Sequence, residues 1–202
     1  MEKALRPLRA GACSTIPDAL SERTACNVFV AKALDLLYGV TDFGGAGKGY
    51  FVANEIATGM SQPGNRASMG WSLIGKGDDQ AALVQAQTLA NAGLAVIAVR
   101  EGRPKANATG PTTLGPGHVV LILPGTLEKY AATEPGGAKH DWGNLQTPNS
   151  ASQFLDRADK MYLGCPLSSA WRKPDAKILL LSKQPLKKIA SRTPGKPARA
   201  LS

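Results

Sequence analysis

Two residues of this chain combine reactive side chains with settings suited to acyl transfer. Cys26 lies in Ser21-Glu22-Arg23-Thr24-Ala25-Cys26-Asn27-Val28-Phe29-Val30, where a polar segment runs into an amphipathic pattern. Val30, Ala33, Leu34 and Leu37 recur at helical spacing and Gly39 closes the run, so the cysteine falls in the first turn of a helix. The positive end of the helix dipole is expected there to lower the thiol pKa and favour the nucleophilic thiolate. Such a nucleophile needs an imidazole to carry its proton. The chain has two histidines. His118 opens the run His118-Val119-Val120-Leu121-Ile122-Leu123, with Gly117 before it to let a helix end come close, and is the candidate base. His140 lies in Gly137-Ala138-Lys139-His140-Asp141-Trp142, a loop composition, and reads as a surface residue.

Each member of the pair has a plainer reading when taken alone. An unpaired cysteine is commonly a small buried hydrophobe, and a histidine at a strand end is commonly a surface residue. Their joint occurrence at a helix start and a strand start is what favours catalysis. Zinc is disfavoured: Cys13, Cys26, Cys165, His118 and His140 show no close ligand spacing.

The elements that must position the pair follow from pattern. Residues 1–20 read as an irregular arm with Pro7 and Pro17 as breakers, and the Cys26 helix runs to about Tyr38. Gly39 to Gly49 holds five glycines and reads as a loop, without the Lys-Ser/Thr ending of a phosphate loop. Tyr50 to Met60 reads as a short helix with Phe51, Val52, Ile56 and Met60 inward, and 61–77 as loop anchored by Trp71 and Ile74. Asp78-Asp79 caps a helix through Ala81, Leu83, Val84 and Leu89 that Gly93 ends. Leu94 to Arg100 and His118 to Leu123 read as buried strands paired antiparallel, with Glu101 to Pro116 a surface connection between them. Ala151 to Lys160 reads as a short helix with Phe154 and Leu155 inward, and 160–164 and 176–181 as strands. The order indicates an α+β domain over 1–182 with a basic tail at 183–202.

Composition bounds the function. The 202 residues carry a net charge of +9, and six of the 24 basic side chains sit in the tail, leaving 18 against 15 acidic ones in the rest. A basic tail of this kind reads as a solvated segment that favours anionic polymers. Aromatic content of 5% does not advertise base stacking, and nucleic acid is a weak expectation. The apolar run from Leu94 to Val99 is far short of the roughly twenty residues a membrane helix needs, so membrane insertion is not expected. The stretch from Met1 to Arg9 lacks the apolar core of a signal peptide. With Cys26 as nucleophile, Cys13 and Cys165 remain. A bridge between them would close a long loop, worth about 3–5 kcal/mol in chain entropy, and would form only in an oxidising compartment. Two unrelated buried thiols are an equal reading.

Cysteine at the head of a helix, in Ala25-Cys26-Asn27-Val28-Phe29-Val30, resembles the papain-like cell-wall peptidases, the superfamily of NlpC-type endopeptidases and CHAP amidases. Gly117-His118-Val119-Val120-Leu121-Ile122 is similar to that group's catalytic-histidine strand, and the preceding strand at Leu94 to Val99 matches its order. Within the group the chain looks most like type VI secretion amidase effectors. The resemblance spans roughly residues 20–135 and rests on short motifs. It implies a papain-like fold with the cysteine helix on an antiparallel sheet, no cofactor, and hydrolysis of an amide bond in the peptide stem or cross-link of peptidoglycan. Cys26 would attack the carbonyl, with its own backbone N–H as an oxyanion donor, and His118 would move the proton. The group usually carries a third polar residue on the strand after the histidine strand. Lys129-Tyr130-Ala131-Ala132-Thr133-Glu134 departs from that pattern, which leaves Glu134 as the first choice, Asp141 as the second and a backbone carbonyl as a third option.

The leading expectation is an antibacterial effector, made in the cytoplasm, exported by a secretion machine, acting on the wall in the target's periplasm and countered by a cognate immunity protein. A phage-type lysis amidase is a close variant. A non-enzymatic binder of nucleic acid or another polyanion is the alternative, supported by the tail and a pI near 9.6.

Overall fold

The computed structural model describes residues 14–16, 26–45, 47–107, 110–129, 140–153 and 161–186. It is an α+β structure, as expected. Its strands are β1 (Ser14–Ile16), β2 (Gly44–Gly45), β3 (Lys48–Tyr50), β4 (Ser72–Lys76), β5 (Ala95–Arg100), β6 (Pro104–Asn107), β7 (Gly110–Leu114), β8 (His118–Ile122), β9 (Asn149–Gln153), β10 (Met161–Pro166) and β11 (Leu179–Lys183). Helices are α1 (Cys26–Tyr38), α2 (Ala53–Ser61), α3 (Pro63–Ser68) and α4 (Gln80–Asn91). Seven strands form one antiparallel sheet in the order β1-β10-β9-β8-β5-β11-β4.

Strand alternation divides the core between the two faces of this sheet. Ala95, Ile97 and Val99 of β5, Val119 and Leu121 of β8 and Leu181 of β11 pack under Val30, Ala31, Leu34 and Tyr38 of α1 and Ile56, Ala57 and Met60 of α2. Their neighbours Val96, Ala98, Val120, Ile122 and Leu180 point the other way, onto Ala82, Leu83, Ala86 and Ala90 of α4 with Trp142 and Trp171. This is why the β5 and β8 sequences read as unbroken apolar runs. The expected antiparallel pairing of those two strands is present, from Val96↔Ile122 to Arg100↔His118.

Asp79 caps α4, accepting from Ala81 N at 2.9 Å, and Gly39 and Gly93 follow α1 and α4 with φ of 70° and 84°. Gln87 ties α4 to the sheet: its Nε2 donates to Leu123 O at 2.9 Å and its Oε1 accepts from Asn149 N at 2.7 Å. No helix among the described residues is long and apolar enough to cross a membrane.

Several local expectations are corrected. Phe51 and Val52 lie outside α2 and are exposed, because the helix starts only at Ala53 and buries Ala53, Ile56, Ala57 and Met60. The stretch 61–77 holds α3 and β4 rather than loop alone, although Trp71 is a buried anchor as expected. Val84 of α4 is exposed. Ser14–Ile16 in the supposed arm pairs with β10, and Ala151–Gln153 belongs to β9, not to a helix. Residues 154–160, including Phe154 and Leu155, lie outside the described residues. The connection 101–116 folds as the β6–β7 hairpin, and the glycine-rich loop as the β2–β3 hairpin. Lys183, assigned to the tail, closes β11 and reaches Asp42 at 2.6 Å, where Trp71 Nε1 also donates at 2.7 Å. The main chain is described through residue 186, where Leu186 N donates to Tyr38 O; residues 187–202 lie outside the described residues.

Candidate active site

The α1 stripe Cys26, Asn27, Val30, Ala31, Leu34 and Tyr38 is buried along its length, so the helix is laid on the sheet from its first residue. Asn27 fixes that end: its Nδ2 donates to Phe51 O at 2.7 Å, joining the helix start to the chain leaving β3. Cys26 is a free thiol, 7% exposed. Burial pushes its pKa above the ordinary 9.0, and three backbone N–H groups, of Val119, Asn27 and Cys26 itself, pull the other way. The expected lowering by the helix end is therefore corrected. The N–H groups at the helix start are present, but desolvation of a nearly enclosed sulfur outweighs them.

Val119 N–H belongs to the peptide that follows His118. The Cys26 helix thus meets β8 at its mouth, where β8 and β9 part: their pairing covers only Leu121↔Ala151 and Ile122↔Ser150. By alternation, Val119 faces α1 while His118 faces the α4 side with Val120 and Ile122. Thiol and imidazole approach one peptide, His118–Val119, from the two sides of the sheet. The His118 ring stands edge-on to Trp171, with centroids 5.6 Å apart and planes at 80°. Its Nε2 shares a 2.7 Å hydrogen bond with Ser152 Oγ on β9.

Ser152 is the group that reading the sequence missed. A partner on the strand after β8 was sought at Glu134; among the described residues the next strand is β9, from Asn149. Glu134 lies outside the described residues. Asp141 is exposed and serves its own turn, its Oδ1 accepting from Gly143 N at 3.2 Å. The findable signal was the alternation in Ser150-Ala151-Ser152, which sends both hydroxyls to the histidine's side of the sheet. His140, expected on the surface, is half-buried, and its Nδ1 lies 2.7 Å from Ser168 O. Cys165 is disulfide-bonded, and Cys13, its expected partner, lies outside the described residues.

Gly117 does admit a helix end, but that of α2 rather than α1. A Cβ there would lie 2.4 Å from Asn54 Oδ1 and 3.0 Å from Arg100 O. Asn54 holds both feet of the β6–β7 hairpin, donating to Gly115 O at 3.0 Å and accepting from Gly102 N at 2.9 Å.

His118 as a residue is half-buried, and desolvation of its ring, aided by the neighbouring Arg100 cation, pushes its pKa down to about 3. It is a neutral imidazole at physiological pH, and a weak proton acceptor for as long as it stays desolvated. Stability follows. An unfolded histidine takes a proton near pH 6.5 while the folded one refuses it until about 3. The contribution is complete above 6.5 and is lost as pH falls through that window. The melting temperature of wild type is expected to drop more steeply between pH 6.5 and 4 than that of His118→Gln. Parallel pH profiles for the two proteins would refute this.

Among the described residues, no group of three or more His, Cys, Asp or Glu side chains gathers as a metal site would. Comparison with family models, curated proteins and solved structures gives no match to this chain.

Proposed function

We propose that the chain is a cysteine amidase of papain-like architecture that cuts an amide bond in the peptide part of peptidoglycan, as an exported antibacterial effector. One observation carries the reading. A free thiol at a helix start rests on the N–H next to His118, and that histidine's ring is held from behind by a buried serine.

In this mechanism Nε2–H donates to Ser152 Oγ, which sets the tautomer with Nδ1 as the accepting nitrogen. Cys26 Sγ attacks the amide carbonyl carbon and its proton passes to Nδ1, which must reach the sulfur at the β8–β9 gap. The carbonyl π electrons move to oxygen, and the Cys26 N–H stabilises the oxyanion. Collapse breaks the C–N bond, the amine leaves with the proton from Nδ1, and a thioester remains. Water then adds to the thioester, giving its proton to the same nitrogen. The second collapse releases the carboxylic acid and returns the proton to the thiolate. Both groups start neutral, so the thiol loses its proton during attack and not before it.

The deciding experiment is digestion of purified peptidoglycan by wild type and Cys26→Ala, with fragments read by mass spectrometry. New fragments from wild type alone support the amidase and identify the bond. Fragments from both or from neither overturn it. Ser152→Ala is expected to keep the fold and cut turnover by about 10-fold to 100-fold, because the ring loses its orientation but not its basic nitrogen. Unchanged turnover would remove Ser152 from the mechanism.

A further inference from the structure

On the histidine's side of the sheet lies a positive cluster that the amidase mechanism does not use. Arg100 is the cross-strand partner of His118, and its side chain is only 14% exposed. Its one ionic partner among the described residues is Asp175, with Nη1 to Oδ2 at 3.8 Å. Arg103, at the foot of the β6–β7 hairpin, reaches the same Oδ2 from Nη2, also at 3.8 Å. A charge-assisted N–H···O bond is about 2.7–2.9 Å long, so neither guanidinium is properly bonded to that oxygen. Asp175 is meanwhile engaged in its own turn, its Oδ1 accepting from Lys177 N at 3.0 Å. Two forks of five donors each therefore share one loosely held carboxylate oxygen. An enclosed cation is costly unless an anion completes it.

We propose that Arg100 and Arg103 bind a free carboxylate of the substrate, carried by a residue flanking the amide that is cut. The inference rests on the amidase reading and narrows its substrate to peptides with an acidic group beside the scissile bond. Arg100 supplies the fixed, enclosed half of the clamp. Arg103, 61% exposed, supplies the half that an incoming peptide meets first. A carboxylate seated between the two forks would take paired N–H bonds that Asp175 leaves unmade.

The test compares two synthetic stem peptides that differ at one position, with either a carboxylate or a carboxamide beside the cut amide. Wild type is expected to favour the carboxylate peptide by about tenfold or more in kcat/KM, mainly through KM. In Arg103→Gln that preference falls toward one, and Arg103→Lys recovers part of it, since charge remains but the fork is lost. Arg100→Gln should do the same; should it fail to fold, the exposed Arg103 pair decides alone. Equal cleavage of the two peptides by wild type, or a preference that survives Arg103→Gln, overturns the clamp and leaves the amidase standing. Cleavage of neither peptide overturns the amidase reading, and the clamp with it.

Discussion

Cys26→Ala is expected to reduce fragment release from peptidoglycan by at least about 10³-fold while leaving the melting temperature near that of wild type. Stability should hold because alanine keeps the buried Cβ at the head of α1 and removes only a sulfur, a small loss by the measure of buried methyl groups. The catalytic loss should be near total because no other free cysteine stands among the described residues. A second consequence separates this thiol from a preformed thiolate. With burial outweighing the three N–H groups at the sulfur, the resting thiol is protonated at neutral pH. Native protein should therefore react with iodoacetamide more slowly at pH 8 than the same chain in denaturant. If native Cys26 reacts faster, the thiolate already exists in the resting enzyme and the sequence of proton transfers given above is wrong.

The largest expected loss of stability is at Gly102. A Cβ on this residue would lie 1.8 Å from Gly115 O and 2.4 Å from Gly115 C. Both are backbone atoms, so no side-chain rotation relieves the overlap, and the feet of the β6–β7 hairpin must separate. That separation breaks the Asn54 bonds to Gly102 N and Gly115 O together. Gly102→Ala is expected to destabilise the protein by about 2–4 kcal/mol. At this chain length that corresponds to a fall in melting temperature of about 5–15 °C. Gly59→Ala is the control: it lies inside α2 with nothing within 4 Å of the added methyl, and helix propensity predicts a gain of about 0.5–1 kcal/mol. Thermal unfolding of the two variants checks both signs. A Gly102→Ala protein as stable as wild type would mean that the hairpin base is not held as described.

What the sequence disclosed tracks the strength of local pattern. The α1 stripe, the Asp79 cap and the apolar runs of β5 and β8 were legible because a single periodicity or a single side chain specified each. The β6–β7 hairpin was not, since Gly, Pro and Thr predominate there and its form depends on Asn54 from another element. β4 was hidden because Ser72-Leu73-Ile74-Gly75-Lys76 alternates poorly, and β11 pulls it into the sheet. At the site, residue types pointed to Cys26 and His118, but the sign of the thiol shift did not follow from a helix start. It depends on how much protein surrounds the sulfur, which only tertiary packing fixes. Ser152 was missed for a related reason: it stands on β9, 34 residues after His118, beyond the reach of local pattern.

The place of β11 in the sheet has a consequence for how the chain comes off the ribosome. This strand ends at Lys183 yet lies between β5 and β4, so the last of the described strands to be made sits inside the sheet and not at its rim. Until those residues emerge, β5 presents a bare edge of unpaired N–H and C=O groups, and β4 has no strand to pair with. The hairpin-linked β5–β8 pair can form early, but completion of the sheet must wait for nearly all of the described chain. The nascent protein is therefore a natural client for chaperones, and a chain cut short before residue 179 should be degraded or aggregate instead of accumulating as a smaller enzyme.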